Sequence, residues 1–247
     1  GSLMKDLGGP AARTGAGVVR LKKKGLLLQD RVGAIGYRLN PESQTMLERG
    51  DRRIFEVQRM RDGDPWCLIS FSIPESQRDL RHQLRRRLQW IGCGVAAPAL
   101  WVCPDYLTGE VRQIVDDLDV GDFAMLFKAE ALEEPGELKK LVREWWDFDQ
   151  LGREHAEFAV AVDAIEALPL DTDAEAFVGY MRLIDSWRVV PYVDPVLSPS
   201  LVPDDWLGEV SLERFDSLSL RLADRAWAHV CAVTEADVDP AVTAASA

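Results

Sequence analysis

The sequence has no uninterrupted apolar run of the ~18 residues that a membrane-crossing helix needs. Its opening, GSLMKDLGG, has none of the charged, apolar and small-residue regions of a secretory leader. Both absences predict a cytoplasmic address. Cysteine is scarce: Cys67, Cys93, Cys103 and Cys231 form no CxxC pair, and His82, His155 and His229 stand far apart. Such spacing excludes the usual metal sites and a disulfide framework, and it predicts buried reduced thiols at Cys67 and Cys103, which lie in apolar runs. A phosphate loop, a dinucleotide fingerprint and a hydrolase elbow are also missing, since Gly92-Cys93-Gly94 is too short for any of them. No catalytic residue, cofactor or metal is therefore expected, and no internal repeat is evident.

With 247 residues, 47% of them hydrophobic, the chain can fill one large core or two to three small ones. Its net charge of −12 disfavours nucleic acid when taken as an average. The charge is unevenly spread, however. Residues 1–53 hold 11 Lys+Arg against 5 Asp+Glu, a net of +6, and the remaining 18 Lys+Arg and 36 Asp+Glu carry −18. A basic head on an acidic body points to a nucleic-acid surface at one end.

The head reads as helix, turn, helix and hairpin. Ser2–Leu7 precedes Gly8-Gly9, and Pro10 suits the first turn of a helix running to Lys24 and stopped by Gly25. Strands at Leu26–Leu28 and Gly36–Leu39 flank the turn Val32-Gly33-Ala34, and Asn40-Pro41-Glu42 opens another helix. That order is a winged helix-turn-helix, in which the second helix enters the major groove. Arg13 and Arg20 fall on one face of this helix with Lys24 close to Arg20, and Lys22 and Lys23 complete the basic run. The other reading of the run is a solvated cationic helix end favoured by the helix dipole.

Residues 44–62 read as a charged linking helix, stopped by Asp62-Gly63-Asp64-Pro65. A strand at 66–73, a helix from Pro74 to Ile91, apolar pieces at 95–97 and 99–103, a helix at 106–118 and a strand at 123–132 make a ferredoxin-like βαββαβ unit. From 137 to 168, apolar residues recur every three or four positions as one helical stripe, and a further helix is predicted at 173–187. The proline-rich stretch 188–208 lacks periodicity, and helix returns from Val210 to Cys231. The fold expected is α+β: a winged helix at 1–53, a linking helix and stop at 54–65, a ferredoxin-like domain at 66–135, a mostly helical domain at 136–234 and a flexible tail at 235–247.

Several separate stretches share a common likeness: Val19-Arg20-Leu21-Lys22-Lys23-Lys24-Gly25 with Tyr37-Arg38-Leu39, Trp66–Ile73 with Pro74-Glu75, Trp146-Asp147-Phe148, and Trp187-Arg188 through Asp194-Pro195, Leu197, Pro199, Leu201, Pro203, Asp205-Trp206 and Gly208. Together they resemble the PaaX family of phenylacetic-acid degradation regulators over almost the whole chain. The resemblance implies a homodimeric repressor that binds double-stranded operator DNA and is released by an acyl-CoA such as phenylacetyl-CoA. Arg13, Arg20, Lys22, Lys23, Lys24, Arg31 and Arg38 are then the expected DNA contacts. Arg78, Arg81, Arg85, Trp187, Arg188 and Trp206 are the expected effector contacts. An ungapped reading puts Gly15 where the family usually has arginine, and Gly15 and Gly17 each weaken the helix by roughly 1 kcal/mol relative to alanine. The family's first helix would lie before Gly1.

Other readings stay open at this stage. The arginines at 78–87 suit coenzyme A phosphates, DNA backbone or a solvated helix face, and the stretch 187–206 suits a pocket wall or a cover over the core. A more distant likeness to the small nuclease of CRISPR adaptation permits a metal-dependent nuclease, although Ser70-Phe71-Ser72-Ile73 holds no carboxylate for a hard cation. The glycines of the second helix also permit an acyl-CoA sensor or adaptor that does not bind DNA.

Overall fold

The computed structural model describes residues 2–8, 11–32, 34–132 and 135–237. The chain is α+β, with antiparallel sheets and a larger share of helix. Two short helices open it, α1 (Ser2–Asp6) and α2 (Ala11–Lys23). The α2 helix ends in a Schellman motif at Gly25 (φ +74°), where Leu26 N–H reaches Leu21 O and Gly25 N–H reaches Lys22 O, both at 3.0 Å. Strands β1 (Leu27–Val32) and β2 (Ala34–Leu39) pair antiparallel from Leu27↔Leu39 to Val32↔Ala34. Asn40 closes this hairpin onto the helix: its amide donates to Leu26 O at 2.9 Å and its side chain to Gly25 O at 2.8 Å.

A single 3₁₀ turn at Pro41–Ser43 leads into α3 (Gln44–Phe55). The linking helix expected over 44–62 therefore ends seven residues early. Beyond Phe55 the backbone finds a tertiary partner instead of an i−4 carbonyl, because Met60 is buried and its amide donates to Val196 O at 3.0 Å. Arg61 N–H then closes a turn onto Asp64 Oδ2 at 2.8 Å. Charge-rich periodicity at 56–62 carries no apolar stripe, so nothing in it resists this extension.

The next elements run β3 (Trp66–Phe71), α4 (Arg78–Trp90), β4 (Gly94–Ala97), β5 (Leu100–Pro104), α5 (Thr108–Asp117) and β6 (Ala124–Ala129). The four strands form one antiparallel sheet in the order β4-β5-β3-β6. Alternation along β3 divides its side chains between two cores. Cys67, Ile69 and Phe71 face Leu84, Leu88, Val111 and Ile114 of α4 and α5. Trp66 and Leu68 face a second cluster formed with Leu138, Val142, Trp146 and Leu201. Because both faces are covered, the strand reads as a near-continuous apolar run.

The stripe expected over 137–168 is two helices, α6 (Pro135–Trp145) and α7 (Phe148–Glu166). The break is chemical. Trp146 is buried and donates its indole N–H to Gly92 O at 2.9 Å, while Asp147 caps α7 by accepting from Gln150 N at 2.8 Å. Gly92 itself is left-handed (φ +86°), and a Cβ there would stand 3.2 Å from Val193 O and Pro195 N. Helix α8 (Asp173–Trp187) opens with a reciprocal box, in which Thr172 Oγ1 accepts from Glu175 N at 3.2 Å and Glu175 Oε2 accepts from Thr172 N at 2.8 Å. These donors, Thr172 N–H first, hold the Glu175 carboxyl below its ordinary value. A short α9 (Val190–Val193) and a long α10 (Gly208–Asp237) complete the chain. Among the described residues no helix is long and apolar enough to cross a membrane.

Two compact units emerge, and they do not follow chain order. One comprises described residues of 1–55, 161–185 and 214–237, and the other comprises 56–160 and 186–213. Within the first, Phe55 meets Phe215 at 6.2 Å between ring centroids, and Asp6 Oδ2 pairs with His229 Nε2 at 3.0 Å. Arg214 joins Asp163 and Glu166 at 2.6 and 2.9 Å, and those carboxylates, Asp163 first, raise its already high pKa.

Candidate functional site

The basic residues of the head lie on α2 and the hairpin that its end supports. Arg20, Lys22, Lys23 and Lys24 are exposed on the last turn and a half, and Arg38 is exposed on β2 opposite Leu28. Lys22 Nζ donates to Gln29 Oε1 at 3.0 Å, which ties the helix end to the first hairpin strand. Val19, Leu21, Tyr37 and Leu39 are exposed in the same region, so long cationic side chains and apolar groups share one surface. The side chains of Arg13 and Arg31 fall outside the described set. Among the described side chains of residues 1–55 only Ser43 is buried.

The arginines of α4 are drawn mostly into contacts of their own domain. Arg81 donates to Ile73 O at 3.3 Å and to Glu75 at 2.7 Å, and Arg85 donates to Pro98 O at 2.7 Å. Arg78 is exposed and donates to His82 one turn on, at 3.2 Å. On the neighbouring helix α5, Asp117 accepts from Arg87 at 3.4 Å and from Gln113 at 3.2 Å.

The stretch 187–206 is mainly interior. Trp187 is 2% exposed and packs on Phe158 at 4.9 Å, leaving no face for a ligand, whereas Arg188 is exposed. Half-buried Trp206 stands edge-on between Phe148 and His155, each 5.1 Å away. Residues that the sequence gives no reason to bring together form the polar centre here: His155, Asp194 and Ser211, all buried. His155 bonds Asp194 Oδ2 through Nε2 at 2.8 Å and Ser211 Oγ through Nδ1 at 2.9 Å. Asp194 Oδ1 accepts from Val196 N at 2.7 Å. The sequence signal for this centre was the Asp194-Pro195 pair, but its partner His155 sat inside an apolar stripe.

Asp62, expected only as a helix stop, is a tether. Its Oδ1 accepts the Ser198 hydroxyl in a short hydrogen bond and the Ser200 hydroxyl at 2.6 Å. These donors, Ser198 first, hold the Asp62 carboxyl below its ordinary value. The segment after α3 is thus bound to the proline-rich stretch at two points, Met60–Val196 and Asp62–Ser198.

Comparison with known proteins places this geometry. Residues 59–142 match the PaaX protein central Cas2-like domain, and residues 146–232 match the PaaX-like protein C-terminal domain. The transcriptional repressor PaaX of Escherichia coli (strain K12) is 25% identical over 247 residues, an alignment that covers 96% of this chain and 77% of that protein. The solved structure of the uncharacterized protein Rv0674 from Mycobacterium tuberculosis is similar with a TM-score of 0.59 at 19% identity, covering 92% of this chain and 88% of that one. This last likeness is one of fold.

Proposed function

Because the chain belongs to the PaaX family, we propose that it is a DNA-binding transcriptional repressor of an aromatic or acyl-CoA catabolic operon. The single observation that carries this reading is the exposed basic surface of Arg20, Lys22, Lys23, Lys24 and Arg38 on a head whose net charge is opposite to that of the rest of the chain. In this reading α2 lies in the major groove and the β1–β2 hairpin is the wing, with Arg13 and Arg31 as further contacts. The four-stranded unit is a ferredoxin-like domain at 66–135, followed by a helical domain at 136–234. It serves assembly and sensing and carries no catalytic step. The protein acts in the cytoplasm as a homodimer, whose twofold matches paired half-sites.

Release from the operator is by an acyl-CoA, phenylacetyl-CoA or a relative. The exposed guanidinium groups of Arg78 and Arg188, supported by Arg81 and Arg85, are the candidate phosphate contacts. No cofactor is required. The test is fluorescence anisotropy with the promoter DNA next to the gene across a salt series, with and without phenylacetyl-CoA. Affinity that falls as salt rises and falls again with the acyl-CoA is the expected result. Binding to promoter and random DNA with equal affinity would overturn the repressor reading.

A further inference from the structure

Helix α4 carries five arginines and one aspartate, a net of +4, although the chain beyond the head has a net charge of −18. Its inner side serves the fold: Leu84 and Leu88 are buried, Arg81 and Arg85 reach the carbonyls of Ile73 and Pro98, and Arg87 meets Asp117. Arg78, His82, Arg86 and Trp90 remain on the outer side, all exposed. They stand four residues apart, so they form one ridge, rising about 6 Å per step and about 18 Å in all.

The ridge escapes the ion pairing common in its unit. Lys128, Lys139 and Lys140 meet carboxylates at 3.2, 2.8 and 2.6 Å. Among the described residues the Arg78 side chain bonds His82, at 3.2 Å, and Arg86 pairs with no carboxylate. Asp79, the one acid of the helix, lies in its first turn, at the end remote from Arg86 and Trp90. His82 accepts from Arg78 through Nε2, so its neutral ring carries the proton on Nδ1 and is itself a donor. Trp90 is 54% exposed. One face of its indole lies against Tyr192 of α9, with ring centroids 6.1 Å and planes 28° apart, which holds the ring and leaves its other face to solvent.

We propose that this ridge binds single-stranded DNA, as a surface separate from the head. Arg78, His82 and Arg86 take successive phosphates, and Trp90 takes a base on its open face. Cations in a row beside a fixed aromatic platform suit a strand whose bases are unstacked. A duplex keeps the faces of its bases hidden and offers Trp90 nothing. An acidic peptide suits the cations and not the ring, and a single nucleotide fills only the Arg86–Trp90 end of a ridge three steps long. A 2′-hydroxyl has no dedicated partner on the ridge, so DNA is the occupant. Acidic surroundings repel a strand elsewhere and confine it to this face. The ridge lies within one compact unit and needs nothing from the head, so it goes beyond the repressor reading and stands or falls apart from it.

The experiment titrates the full chain into labelled oligo-dT of about 15 nucleotides, and into a random duplex of the same length, by fluorescence anisotropy at low salt. Arg20→Glu combined with Lys23→Glu, which disables the head, should weaken the duplex strongly and leave oligo-dT within about twofold. Arg86→Glu and Trp90→Ala, both at exposed positions, should each weaken oligo-dT roughly fivefold or more, and Trp90→Phe should restore most of the loss. Circular dichroism checks folding. No binding of oligo-dT, its loss with the head substitutions, or a loss with Arg86→Glu but not with Trp90→Ala would each overturn the proposal, the last because it describes a bare anion patch. Equal weakening of the duplex by Trp90→Ala, oligo-U bound tenfold more tightly than oligo-dT, or displacement of oligo-dT by coenzyme A at an equal nucleotide concentration would overturn it too. Oligo-dT bound as expected beside a promoter duplex that does not bind would leave the ridge standing and remove the repressor reading.

Discussion

His155 and Asp194 are joined by a buried hydrogen bond of 2.8 Å between Nε2 and Oδ2, and the second nitrogen of the ring is taken by Ser211. Each partner therefore depends on the other to satisfy a polar group that water does not reach. Asp194→Ala strands the imidazole and leaves Val196 N–H without its acceptor, so a loss of about 3–5 kcal/mol is expected. Asp194→Asn keeps the shape and a hydrogen bond and should cost far less. Urea denaturation followed by tryptophan fluorescence checks this, since Trp206 packs on His155. Equal losses from the two substitutions would show that the charge, and not the hydrogen bond, holds the centre.

Much of the element order was legible in sequence because its signals are local. Gly25 stops α2, the apolar run that begins at Trp66 forms a strand, and α8 spans 173–187 as expected. Signals that depend on distant partners were not legible. The α3 helix ends at Phe55 because Met60 finds Val196, and the stripe at 137–168 breaks because Trp146 finds Gly92. The same limit applies to the site. Basic residues on the head could be named from charge alone, but Trp187 looked like a ligand contact and is core, and Asp62 looked like a helix stop and is a tether. Composition names a residue's chemistry, and only packing decides whether that chemistry faces a ligand.

Arg20 and Lys23 are neighbours on the exposed end of α2, yet they should fail differently. If Arg20 reads a base edge, Arg20→Ala should cost about 1–3 kcal/mol at the operator and relax discrimination against a mutated site. Lys23→Ala should weaken all DNA alike and reduce the slope of log affinity against log salt by about one. Anisotropy titrations on operator and scrambled DNA measure both. A uniform loss from Arg20→Ala would remove it as a base reader.

Cys67 and Cys103 are directly opposed across β3 and β5, both buried, with their thiols in contact. The bond to Cys103 and then burial push the Cys67 thiol well above its ordinary value, so the reactive thiolate is suppressed there. Native protein treated with iodoacetamide at pH 8 should label first at Cys231, the one partly exposed cysteine. Cys67 and Cys103 should label only on unfolding, as peptide mass spectrometry would show. Labelling of Cys67 in the folded protein at the rate of Cys231 would contradict the packing of the sheet.

Asp62 sets the pH range over which the segment after α3 stays fastened. Its folded pKa lies below the ordinary 3.8, with Ser198 the larger cause and Ser200 the second. The stabilising contribution is therefore fully present above that ordinary value and is lost as pH falls through the lower folded one. Near neutral pH the tether should be insensitive to pH, so any change in exchange there must come from the side chain's removal. Asp62→Ala should speed hydrogen–deuterium exchange of the Met60 amide, which is held to Val196 O, at pH 7. Ser198→Ala should do the same more strongly than Ser200→Ala. Once exchange chemistry is corrected for pH, wild type should approach the Asp62→Ala protein only in acid below the usual carboxylate range. Identical Met60 exchange in the wild-type and Asp62→Ala proteins at pH 7 would mean that Val196 alone fastens the segment, and the carboxylate would then have no part in holding it.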